Sequence, residues 1–402
     1  WLWIGLLLLP ITAYLSLSPG LALNNPLYDS LRRLTPLPVD PRILLVTIDD
    51  PSLKKLGQWP WPRSVHADLI DRLSAAQPAA ILFDVIFSEP GDPANDKRLA
   101  DAVCDAGNVL LPLAREGAAS YSQPGTQMLP LLKCAKGVGH INVEADSDGV
   151  VRSLYLREGP PNATAPQLAW LAYQLSGLPS SMPGEPLVSS TQDWHREHRI
   201  RIPFIAPHIH FSSVSYVSVL HGEVPSELLR DRLILVGSTA SGMGDRFVTP
   251  LSSTVGTTAG VEIQANVLNG LLQGRSVVDL PGWLAATMAT LLVALLLGLL
   301  LYRPRYALWM TLGCMTGALF VSWALLRLGH WWSPAACLIG LLLSYLIWNW
   351  RRLSVILSYF GWELARLDNE PKVLPERRRA PASKGDVLQA RIFALEQAVS
   401  RT

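Results

Sequence analysis

The chain has 402 residues, 49% of them hydrophobic and 16% charged, with a formal net charge of +2. Soluble globular domains carry about 25% charged residues, so part of this chain belongs in a bilayer, and so small a net charge argues against a nucleic-acid partner. The four cysteines show no C-x-x-C spacing, which excludes a zinc ribbon or a thioredoxin-like motif, and the length suits two or three structural units.

In chain order, residues 1–17 are uncharged and predict a membrane anchor within residues 1–23. No A-x-A cleavage pattern follows, so the segment reads as an anchor and not as a removed signal peptide. Residues 24–281 then form one large domain. Its first predicted strand, over 42–48, is an apolar run that ends in Asp49 and Asp50. The corner Trp59-Pro60-Trp61-Pro62 precedes a predicted helix over 64–76, with Val65, Leu69, Ile70 and Leu73 on one face. A strand over 79–87, a helix over 96–106 and a strand over 108–113 come next. Buried apolar strands alternating with amphipathic helices indicate βαβ units. The middle is richer in β-structure. Residues 139–158 read as a hairpin turning at Asp148-Gly149, before a helix over 165–175 and a strand over 199–205. A last strand over 232–239 runs into a Gly/Ser loop, and a helix over 260–272 leads towards the membrane.

Residues 282–302, 306–328 and 331–350 supply three more spans, each near the ~20 apolar residues that cross the hydrocarbon core. Arg303 and Arg305 separate the first two, and Arg351 and Arg352 follow the third. Basic loops favour the cytoplasm, which places both termini inside and residues 24–281 outside. Most of the 14 tryptophans lie in or beside the spans, where an amphipathic ring suits the interface. The spans hold no Asp, Glu or Lys, which argues against a transporter or proton relay. Residues 351–385 form a basic linker. From 386 to 402, Leu388, Ile392, Leu395 and Val399 repeat as a coiled-coil seam or as one face of a short amphipathic helix. A seam that ends at Thr402 predicts a downstream output module. The expected fold is an α/β domain, a mostly parallel sheet with helices on its faces and a β-rich insertion, joined to four α-helical transmembrane spans.

Asp49 and Asp50 follow the first strand and Asp84 sits within the second; open parallel sheets bind ligands beyond their strand C-termini, which puts these acids near the expected crevice. Arg63, His66, Asp245, Arg246 and Glu262 are candidates to join them. One reading is a site for a small molecule or cation, gripped by Trp59 and Trp61. The other is structural: Asp84 pairs with Arg63 or His66, Asp50 caps the turn at Pro51-Ser52, and the two indoles seal the sheet edge. A buried carboxylate without a partner is too costly to stay charged, so a partner for Asp84 is expected on either reading.

The loop over 236–246 resembles a phosphate cradle, but it lacks the Gly-Lys-Ser/Thr ending of a P-loop and reads as a connection. His195, His198, His208 and His210 have the spacing of metal ligands. With only Glu197 beside them they fall short of a zinc site's converging donors, so no metal or cofactor is assigned to this chain. No G-x-S-x-G elbow occurs, and no catalytic residue is assigned. Cys104 and Cys134 lie in the outside domain, where disulfides persist, as a bridge or as two free thiols.

Four stretches are similar to a known family: VTIDDPSLKKLGQWPWPRSVHADLIDRL (46–73), ILFDVIFSEP (81–90), LILVGSTASGMGDRFVTPL (233–251) and GVEIQANVLNGLL (260–272). With the order of spans, they resemble receptors bearing a type-2 CHASE domain, the cyclase/histidine-kinase-associated sensory extracellular domain. One departure is Gln264, where the family pattern has His. The resemblance implies a multi-pass receptor of the bacterial inner membrane with its sensor in the periplasm, coupled to a histidine kinase, a nucleotide cyclase or a serine/threonine kinase. Residues 360–379 look most like the histidine-kinase members. That implies an output domain using ATP and Mg, a cytoplasmic response regulator, a homodimer, and a periplasmic ligand or partner protein. The rival reading is a non-enzymatic membrane scaffold.

Overall fold

The computed structural model describes residues 2–369 except 19, 36, 88–90, 117–119, 122–132, 162, 179–180, 185–188, 191–193, 241, 244 and 253–255. The chain divides into two compact units, residues 1–345 and 346–402. In the first unit the strands, in chain order, are β1 (Ile43–Ile48), β2 (Ala80–Phe83), β3 (Val109–Leu113), β4 (Gly137–His140), β5 (Val151–Gly159), β6 (His195–Arg201), β7 (Ser212–Ser215) and β8 (Leu233–Ser238). Two-residue strands add to the smaller sheets.

The main sheet has six strands in the order β7-β1-β8-β2-β3-β4, and every neighbouring pair is parallel. Side chains alternate across it. Leu44, Val46, Ile48, Ile81, Phe83, Val109 and Leu111 join the core formed with helices α4 (Arg63–Ala75) and α5 (Pro93–Ala106). Ile43, Leu45, Ala80, Leu82 and Leu110 join the opposite core with α6 (Leu168–Leu175) and α8 (Gly260–Leu272). Strands covered on both faces need apolar residues at every position, which is why β1 and β8 read as unbroken hydrophobic runs. Each fully buried aliphatic side chain there contributes about 1.5–3 kcal/mol.

A second sheet packs on the α8 side of the main one. β5 pairs antiparallel with β6, and Glu144–Ala145 folds back on β5. Gly149, at φ 76°, supplies the left-handed residue of that turn. The hairpin expected over 139–158 is therefore smaller, because residues up to His140 belong to the main sheet as β4.

Other boundaries moved for identifiable reasons. β2 stops at Phe83 rather than at 87, where the backbone leaves the sheet at Asp84. The helix expected from 165 starts at Leu168, because Ala165–Pro166 pairs with β5 and the Gln167 side chain caps α6, accepting from the Ala169 and Trp170 amides. The strand expected over 199–205 lies at His195–Arg201 instead; Pro203 has no N–H to give a ladder. The elements not anticipated include α2 (Asn24–Arg33), α3 (Asp50–Leu56), β7 and α7 (Tyr216–Leu220).

The remaining long helices are α1 (Leu2–Leu17), α9 (Gly282–Tyr302), α10 (Ala307–Arg327) and α11 (Ala335–Asn369). Two stretches, Gly282–Tyr302 and Pro304–Arg327, are helices long and apolar enough to cross a membrane. α1 has 16 residues and α11 has 35, and α11 continues past Arg351 and Arg352. The seam expected from 386 lies outside the described residues.

Candidate functional site

The candidate residues separate into three places. The first is a packed corner between β1 and α4. Asp49, not Asp50, is the cap here: its Oδ1 accepts from the Ser52 amide at 2.9 Å, the Ser52 hydroxyl at 2.5 Å and the Ser215 hydroxyl at 2.9 Å. Its extended backbone (φ −102°, ψ 173°) aims the carboxylate back at the first turn of α3, whereas Asp50 is exposed within that turn. Trp61 is 5% exposed and its indole N–H donates to the Gly57 carbonyl at 3.0 Å. Trp59 meets Trp61 edge-on at 5.2 Å, and Trp61 lies 5.0 Å from Tyr216.

His66 is fully enclosed by this aromatic set, and its Nδ1 shares a hydrogen bond with the Tyr216 hydroxyl at 2.9 Å. Burial, with the nearby Arg63 charge, lowers its pKa to about 4, so it is neutral at pH 7. Arg63 does not reach Asp84. It pairs with Asp96 of α5, which also accepts from the Gly91 amide. Both pairings expected for Asp84 are therefore replaced: Arg63 belongs to Asp96 and His66 to Tyr216.

The second place is a cavity of about 460 Å³ at the C-terminal edge of the main sheet. Asp84 enters it from the end of β2, Asp245 from the loop after β8, Gly260 and Gln264 from α8, and Glu144, Tyr155, Glu158 and Arg196 from the second sheet. Glycines make this convergence possible. A Cβ on Gly237 would come within 2.6 Å of Val261 Cβ and 3.2 Å of Asp84 Cβ, and one on Gly260 would collide with the Asp245 carboxylate. Asp84 Oδ2 is shut off from solvent and has no hydrogen-bond partner among the described residues. Burial and the facing Asp245 push its pKa up to about 8, and burial raises Asp245 as well, against the Gly260 amide. Gln264 accepts from Gln167 and donates to the Ile141 carbonyl at 3.2 Å.

The third place is a neighbouring hollow of about 400 Å³ that Arg246 and Glu262 line. Arg246 ties the loop after β8 together, donating to the Thr257 hydroxyl at 2.8 Å and the Thr239 carbonyl at 3.2 Å. Glu262 reaches back to the Ala259 amide at 3.3 Å, closing the first turn of α8. Elsewhere, Cys104 and Cys134 are joined in a disulfide between the end of α5 and the approach to β4.

A parallel sheet with a polar cavity at its C-terminal edge is a ligand-binding arrangement shared by many families. The CHASE2 domain family matches residues 4–302. The chain belongs to the CHASE2 family. CHASE2 domains are extracellular sensory domains of signalling receptors. No curated protein and no solved structure matches the chain.

In this CHASE2 domain, sequence reasoning missed the polar network that ties the second sheet to α2 and to the approach to α9. Arg152 of β5, 3% exposed, donates through Nε and Nη2 to the two oxygens of Asp29 in α2, both at 2.9 Å. Its Nη1 holds Asp146 at 2.8 Å and Asp148 at 2.9 Å. From β6, Arg199 and Arg201 hold the two oxygens of Asp279 at 2.9 and 2.6 Å, just before α9. Arg201 also stacks 4.7 Å from the Tyr28 ring, which meets Trp331 edge-on at 5.0 Å. The sequence signal was present in the arginine-rich strand HREHRIR, whose charges inside a half-buried sheet required acidic partners.

Proposed function

We propose that this chain is the periplasmic sensor and membrane input module of a bacterial sensor histidine kinase. Four spans cross the inner membrane, and both termini are cytoplasmic. The stretches Gly282–Tyr302 and Pro304–Arg327 support two of the spans by length and composition; α1 and the apolar first half of α11 are the other two. The reading rests on one observation above the rest. The second sheet of the CHASE2 domain is clamped to the chain on the membrane side, by Arg152 on Asp29 after α1 and by Arg199 and Arg201 on Asp279 before α9. A stimulus that favours one of two domain arrangements moves those attachment points, provided its affinity for the two differs.

The output is relayed by a homodimer. Beyond Arg352, α11 carries Leu353, Leu357, Phe360 and Leu364, spaced four, three and four apart, the a/d repeat of a coiled coil. Leu353, Leu357 and Leu364 are 50%, 62% and 49% exposed in the single chain, and a second copy with the same spacing covers them. ATP and Mg serve the output domain, and a response regulator is its partner.

The test is a fusion of the whole chain to a histidine kinase of known readout, with and without residues 24–281. Output that ignores the deletion refutes the sensory reading. A cyclase or serine/threonine kinase encoded after Thr402 replaces the histidine kinase in the proposal. A stop codon there leaves a scaffold.

A further inference from the structure

The cavity at the edge of the main sheet has a one-sided chemistry. Among the described residues, Asp84, Glu144, Glu158 and Asp245 line it against a single cation, Arg196. That cation is committed: Nη1 lies 3.3 Å from Glu144 Oε1, Nε 3.6 Å from Glu158 Oε2, and the guanidinium stacks 5.2 Å from the Tyr155 ring. Glu158 is satisfied further by Asn142 Nδ2 at 2.6 Å and the Trp194 indole N–H at 3.3 Å. Asp84 Oδ2, Glu144 Oε2 and Arg196 Nε are closed to solvent and lack a hydrogen-bond partner among the described residues; Arg196 Nε still faces Glu158 at 3.6 Å, whereas Asp84 Oδ2 faces the Asp245 carboxylate. A buried carboxylate oxygen with nothing to accept from is strongly disfavoured, so the folded domain leaves a place for a donor.

The walls specify the rest of the donor. Ile141, Val143, Leu154 and Phe247 line the same cavity, and about 460 Å³ falls within the range of small-molecule sites. Among the described residues no group of three or more His, Cys, Asp or Glu is placed to hold a metal ion, which disfavours a bare divalent cation.

We propose that this cavity binds a small organic amine, its ammonium against Asp84 and its carbon chain along Ile141, Val143 and Leu154. The proposal deepens the sensory reading and rests on it for biological meaning, although binding can be measured independently. Asp84 and Asp245 both have raised pKa values in this cavity; an ammonium beside them favours their ionised forms, with Glu144, Glu158 and Arg196 as the other charged groups facing the site.

The experiment uses the whole chain in lipid nanodiscs. The probes are 1,4-diaminobutane and n-butylamine, against butane-1,4-diol and succinate, read by thermal unfolding and titration calorimetry at pH 7. The amines raise the melting midpoint, increasingly with the logarithm of their concentration above Kd, and the diol and succinate do not. Asp84→Asn weakens amine binding at least tenfold while the chain still unfolds cooperatively, and Glu144→Gln weakens it in the same direction. No shift with either amine, equal shifts with the diol or succinate, or amine affinity unchanged in Asp84→Asn overturns the amine site. The sensory reading fails separately, in the kinase fusion with residues 24–281 removed, which needs no known ligand.

Discussion

Tyr216 and His66 meet at 2.9 Å, hydroxyl against Nδ1, and that contact locks two remote pieces of chain together. Tyr216 opens α7 directly after the edge strand β7, while His66 lies in the first turns of α4. The same hydroxyl lies 3.3 Å from the Val65 carbonyl. Tyr216→Phe strands the imidazole in an apolar enclosure, a loss of about 1–3 kcal/mol. Denaturant unfolding of the purified chain measures it, and an unchanged midpoint refutes the structural role.

The tryptophan corner carries a related prediction. Trp61 sits inside the α4 core, so Trp61→Ala costs about 3–5 kcal/mol. Trp59 is half-buried, so Trp59→Ala costs less. Neither changes the affinity for 1,4-diaminobutane at a temperature where the variant is folded. An Ala variant that stays stable but loses binding makes the corner a ligand grip after all.

The stability profile against pH has two opposed limbs. His66 is lowered to about 4 and His140, buried beside Glu158, to about 3. Groups with a depressed folded pKa stabilise above the unfolded value, here 6.5, and that contribution is lost as pH falls through the folded values. Asp84 runs the other way. Its pKa is raised from 3.8 to about 8, so its contribution is complete below pH 3.8 and is lost as pH rises through about 8. Asn mimics the protonated acid, so melting midpoints of Asp84→Asn and the parent coincide near pH 4 and diverge up to about pH 8, with the variant the more stable. Parallel curves at every pH contradict the assignment.

How much of this was legible in the sequence depends on how local the cause is. β1 and β8 were visible because burial on both faces writes an unbroken apolar run. β7 was not, because the edge strand Ser212–Ser215 is mostly serine and shows no periodicity. Asp49 and Asp50 are adjacent, and only the backbone angle at Asp49 selects it as the cap. Asp84 was expected within the second strand and instead stands just past its end, and its neighbours were not foreseen. Arg63 finds Asp96 on α5, and Asp84 is left facing Asp245 from a loop far along the chain. Pairings across such separations are set by how layers stack, which no local pattern records.

The clamp at Arg152 is such a long-range arrangement, and it makes a prediction on stability and coupling together. Removing one partner of a buried ion pair costs about 3–5 kcal/mol. Asp148 is partly exposed and rehydrates, which puts Arg152→Ala near the lower end, about 3 kcal/mol. Asp279→Asn, at a carboxylate that is itself one-third exposed, costs less. In the kinase fusion, Asp279→Asn leaves the domain folded and reduces the change in output on stimulation. A fully coupled Asp279→Asn refutes the clamp as a relay.

The dimer seam on α11 is read by disulfide cross-linking in membranes, with Cys314 and Cys337 replaced by Ser. These are the free cysteines among the described residues. Leu353→Cys, Leu357→Cys and Leu364→Cys occupy the a/d positions and cross-link between copies. Val355→Cys and Trp362→Cys lie on the far side of the same helix, since 3.6 residues per turn place them well away from the seam, and they do not. Both are 60% or more exposed in the single chain, so a helix that merely lies on the lipid surface, or collides at random, gives no such periodicity. Equal yields at all five positions rule out a parallel seam there, and a maximum at Val355 and Trp362 moves it to the opposite face.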